Sequence, residues 1–283
     1  MVFLHLFPCS AQAINRDLDL LYDISWGNVH LAEVKSQWKV QDGEAVIFGT
    51  IKSAGVTALL SGFKSASNAE IKFRAGEWQP ISLTISRVTK SKQVSSSVFW
   101  SIDGDILLDM QEPPLDLEEV FPIADALKQD VIDPYSALMR QLDHIAMQSK
   151  CVGAYSVYDG LRRFEMQFET VGTMKLLADR PFAFEGDALH CKVTVTPKGG
   201  HRVKSNWHKK PIEDRQASIF FGHFESGLIL PVRIEAEAKV GTGIARLDVT
   251  QLEIYTRPEH PTSLPSQKLP SVKHHNKKYS KEE

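Results

Sequence analysis

The sequence has few cysteines, no excess of basic charge and no long apolar run. Only three cysteines occur in 283 residues, and neither a Cys-x-x-Cys pair nor a His-Glu-x-x-His motif of a zinc site is present. Lys and Arg number 33 against 35 Asp and Glu, a formal net charge of −2, which argues against a general nucleic-acid binder because such binding needs a basic surface. No stretch approaches the roughly 20 apolar residues of a membrane-spanning helix, so no such span is predicted.

The familiar catalytic motifs are also missing or incomplete. Ser61-Gly62-Phe63-Lys64 matches the Ser-x-x-Lys of penicillin-recognising enzymes, but the accompanying Lys-Thr-Gly is absent. Gly241-Thr242-Gly243 lacks the third glycine of a phosphate-binding loop and is typical of a turn. We therefore expect no metal and no cofactor, and we favour a protein that is not an enzyme.

What the sequence does contain is alternation of apolar and polar residues, which is typical of strands with one buried face. Turn signals such as Asp42-Gly43 and Asp103-Gly104 separate the alternating runs, and the clearest run covers residues 230–240. Residues 56–63 blur the pattern and are predicted as a bent strand. The prolines in residues 112–129 predict an irregular segment that covers an edge or an opening. The pattern indicates about ten strands in an antiparallel arrangement.

One helix is predicted to begin at Asp133-Pro134. The Asp side chain can accept the free N–H groups of the first helical turn, and proline at the first position loses no hydrogen bond. Four apolar residues then recur at steps of three and four: Tyr135, Leu138, Leu142 and Ile145. The sequence therefore predicts a mainly β protein, a large curved antiparallel sheet or open barrel with one main α-helix packed on it.

A tight hairpin is predicted at Asp159-Gly160, because Asp-Gly between two alternating runs is a strong hairpin signal. If these two residues are the whole loop, Tyr158 lies opposite Leu161 and the register is fixed from there outward. The residues that then share one face are Cys151, Tyr155, Val157, Arg162, Phe164, Met166 and Phe168.

Arg162 would thus lie among apolar side chains, where an unpaired charge is costly. The structural interpretation is a buried ion pair, with Asp133 or Asp159 as the acceptor, or hydrogen bonds from the guanidinium to backbone carbonyls. The functional interpretation is that Arg162 lines a cavity and binds an anionic head group. Arg163 is expected to face solvent.

Several of these motifs resemble the bacterial exported family known as domain of unknown function 3108. The residues that carry the resemblance are Asp133-Pro134-Tyr135-Ser136-Ala137-Leu138, Cys151, Val157-Tyr158-Asp159-Gly160-Leu161-Arg162-Arg163-Phe164, Cys191-Lys192-Val193, Pro197 and Gly199-Gly200. The resemblance runs from about Tyr22 to about Tyr255. It implies an exported, β-rich envelope protein and brings no established activity with it.

The two ends of the chain differ from its body. Residues 1–13 contain a short apolar run and end in Ala11-Gln12-Ala13, a triplet of the kind that signal peptidase cuts, although a basic start is missing. We interpret them as a truncated signal peptide, the alternative being a frayed apolar terminus. Residues 14–256 are predicted to form a single β-rich domain, and the basic, proline-rich residues 257–283 a disordered tail.

Removal of a signal peptide would leave two cysteines, Cys151 and Cys191. In an oxidising compartment we expect them to form a disulfide, whereas in the cytosol two buried thiols would be favoured. A bridge would close a loop of about 40 residues and stabilise the fold by roughly 4 kcal/mol in the chain-entropy model.

A second basic segment carries Arg202, Trp207, Lys209 and Lys210, which are candidates for contact with an anionic surface, although a solvated loop is the alternative. We expect an exported periplasmic protein that binds a lipid, another apolar or amphiphilic envelope component, or a partner protein, in its curved sheet. The alternative is a cell-envelope hydrolase or lyase whose site is assembled from distant residues.

Overall fold

A computed structural model describes residues 16–204, 215–238 and 241–256, so the predicted signal peptide and tail lie outside the described residues. The chain forms one 14-stranded antiparallel sheet. The strands are β1 (Arg16–Trp26), β2 (Val29–Gln41), β3 (Glu44–Ser53), β4 (Lys64–Arg74), β5 (Glu77–Val88), β6 (Gln93–Trp100), β7 (Ile106–Glu112), β8 (Val152–Tyr158), β9 (Arg163–Leu176), β10 (Gly186–Gly199), β11 (Gln216–His223), β12 (Ile229–Ala238), β13 (Gly241–Leu247) and β14 (Glu253–Thr256).

The strand order is β7-β6-β5-β4-β3-β2-β1-β13-β12-β11-β10-β9-β8, and β14 pairs with β1. Neighbours in the sheet are therefore neighbours in the chain except where β1 pairs with β13 and β14. This arrangement confirms the predicted mainly β fold with a large, open, curved antiparallel sheet, although the strands are more numerous than expected.

Two α-helices are present among the described residues. The first, α1 (Gly55–Leu60), stands where a bent strand was predicted, so that prediction is wrong. The chain leaves β3 because Gly55 has a positive φ of 53°, and the N–H of Ala54 donates to the carbonyl of Leu31 at 2.7 Å. The side chain of Thr57 then closes the first turn by donating to the carbonyl of Ala54 at 2.6 Å.

The second helix, α2 (Pro134–Gln148), begins where the sequence predicts. The Asp133 carboxylate accepts the N–H of Tyr135 at 2.7 Å and that of Ser136 at 3.2 Å. Its apolar stripe packs on the sheet and separates two core clusters, and Leu138 and Leu142 contact both of them. The helix therefore fills part of the concave side of the sheet.

The predicted disulfide between Cys151 and Cys191 is confirmed, with the two Cα atoms 5.9 Å apart. Cys151 immediately precedes β8 and Cys191 lies in β10, and β9 runs between these two strands. The bridge therefore crosses β9 beside Thr170, whose Oγ1 accepts the N–H of Cys151 at 2.8 Å. Because Cys151 follows α2 closely, the disulfide fastens the end of the helix to the sheet.

The hairpin between β8 and β9 has a longer loop than predicted. Tyr158 lies opposite Arg163, not opposite Leu161, so the loop consists of residues 159–162. The reason is the side chain of Asp159, whose Oδ1 accepts the N–H groups of Leu161 at 3.0 Å and Arg162 at 2.7 Å and so stabilises a wider turn. Because the register shifts by two residues, the predicted apolar face is preserved.

Candidate functional site

Two concave regions lie at opposite ends of β5. Trp78 lines the first region and Arg87 the second, and nine strand residues span roughly 30 Å. We call the first region the tryptophan cavity and the second the arginine cleft.

The tryptophan cavity lies between the concave face of the sheet and the second half of α2. Its volume is about 170 Å³, and most of its surface is apolar. The main apolar side chains that line it are Leu18, Trp38, Phe73, Trp78, Met139 and Leu142. The rings of Phe73 and Trp78 meet edge to face at 5.5 Å, and Trp38 Nε1 donates to Ser36 Oγ at 2.7 Å, so the aromatic walls are held in fixed orientations.

Two charged side chains also line this cavity. Arg16 Nη2 donates to the carbonyl of Ser226 at 2.8 Å, whereas its Nη1 is buried and has no hydrogen-bond partner among the described residues. The second is Asp143 of α2, where burial raises the pKa of the carboxyl above its usual value. The cavity is therefore apolar with one buried cationic N–H group available to a ligand.

Arg140 holds Trp78 in place from the helix. Its Nε donates to the carbonyl of Trp78 at 2.7 Å, and its Nη1 pairs with Glu77 at 2.7 Å. The start of β5 is thereby fixed against α2. The cavity is therefore largely preformed, as small-molecule sites usually are.

The arginine cleft lies beside the hairpin loop of residues 159–162 and has a volume of about 530 Å³. Its basic side chains come from three separate parts of the chain: Arg87, Lys92, Arg162, His201 and Arg202. The cleft brings together Arg162 and Arg202, which the sequence placed in two unrelated candidate sites. Trp207, Lys209 and Lys210 lie outside the described residues.

One wall of the cleft is built by the irregular segment that the sequence predicts. Phe121 exchanges backbone hydrogen bonds with residues 200–201, since its N–H donates to the carbonyl of His201 at 3.0 Å and its carbonyl accepts the N–H of Gly200 at 2.7 Å. Val120 and Arg202 form an antiparallel bridge beside this pair. The segment is thereby tied to the end of β10.

Asp159 is the centre of the polar contacts at the cleft. Its side chain is 3% exposed, and its Oδ2 accepts from Arg162 Nη2 at 2.6 Å, Arg162 Nε at 2.9 Å and Arg87 Nη2 at 3.3 Å. Burial lowers the pKa of the Arg87 guanidinium, and the charge of Asp159 opposes that shift. One buried carboxylate thus holds two guanidinium groups.

The structure corrects the expected positions of both hairpin arginines. Arg162 belongs to the loop and its side chain is 53% exposed rather than buried on the apolar face. Arg163, expected in solvent, is 5% exposed and donates to the carbonyl of Leu127 at 2.8 Å and to Glu165 Oε1 at 2.7 Å. The cause is the irregular segment that follows β7, which covers the face on which Arg163 and Tyr158 lie.

Asp133 is not the partner of Arg162. It caps α2, where burial raises the pKa of its carboxyl to about 6 while hydrogen bonds from Ser136 and Tyr135 oppose the shift. Asp159 alone of the two predicted acceptors contacts Arg162. The ligand-binding role proposed for these residues stays a prediction.

No group of three or more His, Cys, Asp and Glu side chains within the described ranges is placed to hold a metal ion. In the same part of the chain, no helix is long and apolar enough to cross a membrane.

Sequence reasoning did not identify the residues that line the tryptophan cavity. Trp38 and Trp78 both occupy alternating strand positions, so their inward orientation was accessible from the pattern. Arg87 carried no sequence signal, because its role depends on contact with a loop 72 residues away.

Comparison with known proteins gives a family and one solved structure. A family model described as "Protein of unknown function (DUF3108)" matches residues 21–250, and no curated protein matches the chain. Among solved structures, a beta-barrel-like protein of domain of unknown function DUF1849 from Brucella abortus is similar over 86% of this chain and 100% of that one, with 9% identity and a TM-score of 0.48.

Proposed function

This chain belongs to the DUF3108 family, and we propose that it is an exported periplasmic protein that binds the apolar part of an amphiphilic envelope component in the tryptophan cavity. The observation that carries the proposal is a preformed apolar cavity between α2 and the sheet, lined by two tryptophans and by Arg16. Binding, not catalysis, is the role that this lining supports.

The size of the cavity limits what it accepts. A volume of about 170 Å³ is close to the ~150 Å³ of an engineered apolar cavity that binds benzene. The cavity therefore accommodates one ring or one segment of an acyl chain, and the remainder of a larger ligand would extend into solvent.

Arg16 supports an anionic ligand in particular. A buried N–H group of a guanidinium without a partner is unfavourable, and a carboxylate or phosphate oxygen would satisfy it. An amphiphile whose acidic head lies beside Arg16 and whose chain contacts Trp38 and Trp78 would satisfy both features of the cavity. A fatty acid is the simplest molecule of this class.

Quenching of tryptophan fluorescence by a dibrominated fatty acid tests the proposal. Bromine quenches only tryptophans that it contacts, so we expect Trp38 and Trp78 to be quenched and Trp100, which lies in a different core cluster, to be unaffected. Replacing Trp38 and Trp78 together by Phe should remove most of the quenching. Quenching that survives this double substitution, or none in the wild type, would contradict the proposal.

Two neighbouring positions of α2 provide a matched pair of variants. Ala146 lines the cavity and Met147 does not, and both are exposed. We expect Ala146→Phe to obstruct the cavity and weaken fatty-acid binding by about tenfold or more, whereas Met147→Phe should bind as the wild type does. Arg16→Gln should weaken binding of the fatty acid more than binding of the corresponding fatty alcohol.

The periplasmic location is supported by two features. Ala11-Gln12-Ala13 has the form of a signal-peptidase site, and disulfides such as Cys151–Cys191 form in oxidising compartments. We expect the mature protein to begin at Ile14 and to be recovered in the periplasmic fraction with both thiols oxidised. A cytoplasmic protein with free thiols would contradict this part of the proposal.

The arginine cleft favours a second candidate, a cell-envelope hydrolase or lyase. His201 lines the cleft together with Asp116 and Glu119, and a histidine with a carboxylate is a common acid–base combination. If this candidate is correct, the protein releases soluble fragments from purified cell-wall material and His201→Ala does not. If the wild-type protein releases no soluble fragments from cell-wall material, the hydrolase or lyase candidate is excluded.

A further inference from the structure

The short helix α1 exposes apolar side chains without burying any residue. Its exposed apolar residues are Val56, Leu59 and Leu60, at 52%, 74% and 76%, and none of its six residues is buried. Single exposed leucines are ordinary on protein surfaces. Two adjacent leucines that project from a short helix form a contiguous apolar surface, which is typical of an interaction site.

The position of α1 is nevertheless fixed. The carbonyl of Leu31 in β2 accepts the N–H of Ala54 at 2.7 Å, and Lys90 donates to the carbonyl of Leu59 from the turn between β5 and β6. Polar contacts therefore hold the helix backbone, while the leucine side chains extend into solvent.

Lysines are the charged residues that predominate in the strands and the turn next to this apolar tip. Residues 50–69 and 78–102 contain no Asp or Glu, and their exposed lysines are Lys52, Lys64, Lys90 and Lys92. Lys52 and Lys64 lie directly opposite each other on β3 and β4, an arrangement that repulsion makes unfavourable.

Carboxylates near the tip compensate only part of this charge. Glu119 lies 3.7 Å from Lys92, and Glu33 of β2 faces Lys52 in register. Two of the four lysines therefore remain in excess, and the surface is complementary to an anionic partner.

We propose that α1 and its four lysines dock this protein on a bilayer that contains anionic phospholipid. The leucines would enter the boundary between head groups and acyl chains, and the lysines would lie at the level of the phosphates. The shape supports a membrane rather than a folded acidic protein, because the apolar residues form a projecting tip and not a broad flat patch. This docking surface is separate from the tryptophan cavity, and it stands or fails independently of the function proposed above.

Flotation with vesicles tests the proposal on the full chain. We expect binding to vesicles of phosphatidylethanolamine with phosphatidylglycerol, and at least about tenfold weaker binding to vesicles of phosphatidylcholine alone. High salt should weaken the binding because the lysine contribution is screened. No binding to the anionic vesicles at low salt would overturn the proposal.

Two pairs of adjacent leucines provide the matched variants. Leu59→Ser with Leu60→Ser should weaken binding about tenfold or more, because both side chains leave the apolar boundary. Leu107→Ser with Leu108→Ser changes another exposed pair, in β7, and should bind within about twofold of the wild type. An equal loss in both double variants, or no loss in either, would overturn the proposal.

A soluble polyphosphate distinguishes a bilayer from any other polyanion. If polyphosphate binds as tightly as the anionic vesicles, and the serine substitutions in α1 change neither the polyphosphate binding nor the vesicle binding, charge alone explains both interactions. That outcome would overturn the membrane assignment. Vesicle binding that requires Leu59 and Leu60, with weak polyphosphate binding that does not, would support it.

Discussion

The two ends of β5 differ in how completely the buried polar groups beside them are hydrogen-bonded. At the arginine cleft, the buried carboxylate of Asp159 accepts hydrogen bonds from Leu161 N, Arg162 and Arg87. At the tryptophan cavity, apolar side chains enclose unfilled space and a buried nitrogen of Arg16 has no partner among the described residues. Polar groups with partners stabilise the fold, whereas unpaired groups at a cavity are available to a ligand. The Asp159 contacts are therefore structural, and the tryptophan cavity is the site that we propose for a ligand.

Removing the Asp159 carboxylate should give the largest effect. Asp159→Ala leaves Arg87, whose side chain is only 24% exposed, without its partner and removes the acceptor that shapes the loop. Breaking a buried pair in this way costs about 3–5 kcal/mol, which urea denaturation would measure.

Three comparisons sharpen this prediction. Arg162→Met should cost only about 1 kcal/mol, because water screens the exposed guanidinium. Asp103→Ala, in the exposed turn before β7, should change stability by no more than about 0.5 kcal/mol. Fatty-acid binding by Arg162→Met should equal that of the wild type, and weaker binding would show that the cleft contributes to the ligand site.

Large-to-small substitutions in α2 compare filled core with cavity wall. Ile145 is fully buried in the core cluster that also contains Val157 and Phe221, so Ile145→Ala should cost about 3 kcal/mol or more. Leu142 lines the cavity and already lacks neighbours on one side, so Leu142→Ala should cost roughly 1–2 kcal/mol less. Equal losses in denaturation experiments would indicate that the cavity is not empty space in solution.

The sequence predicted those parts of the fold that local chemistry determines. Asp133-Pro134 marks the start of α2, and the alternation of apolar and polar residues marks the strands. The same alternation places Cys151 and Cys191 on the buried side, where they form a disulfide. Each of these features depends on neighbouring residues or on a period of two or 3.6.

The features that the sequence did not predict depend on residues far apart in the chain. Arg163 is buried because the carbonyl of Leu127 and the segment around it cover the hairpin, and no pattern near Arg163 indicates this. The hairpin loop is longer because Asp159 accepts two backbone N–H groups, an alternative that Asp-Gly alone does not exclude. The cavity depends on volumes left between α2 and the sheet, which alternation of apolar residues does not measure.

The comparison has one intermediate case, Asp133, which is fully hydrogen-bonded yet unfavourably buried. Its pKa is 3.8 as a free group and about 6 in the fold, so between these values the folded protein holds a proton that the unfolded chain has released. The extra proton therefore raises the free energy of unfolding by up to about 3 kcal/mol. This contribution is complete below about pH 4 and is lost as the pH rises through 6. Denaturation at several pH values between about 4 and 7 should show the free energy of unfolding of the wild type falling relative to that of Asp133→Asn, which has no group to titrate. As a control, Asp116→Asn at an exposed position should show the same pH dependence of the free energy of unfolding as the wild type. If the free energies of unfolding of the wild type and Asp133→Asn differ by the same amount at every pH, the hydrogen bonds from Tyr135 and Ser136 fully offset burial of the charge.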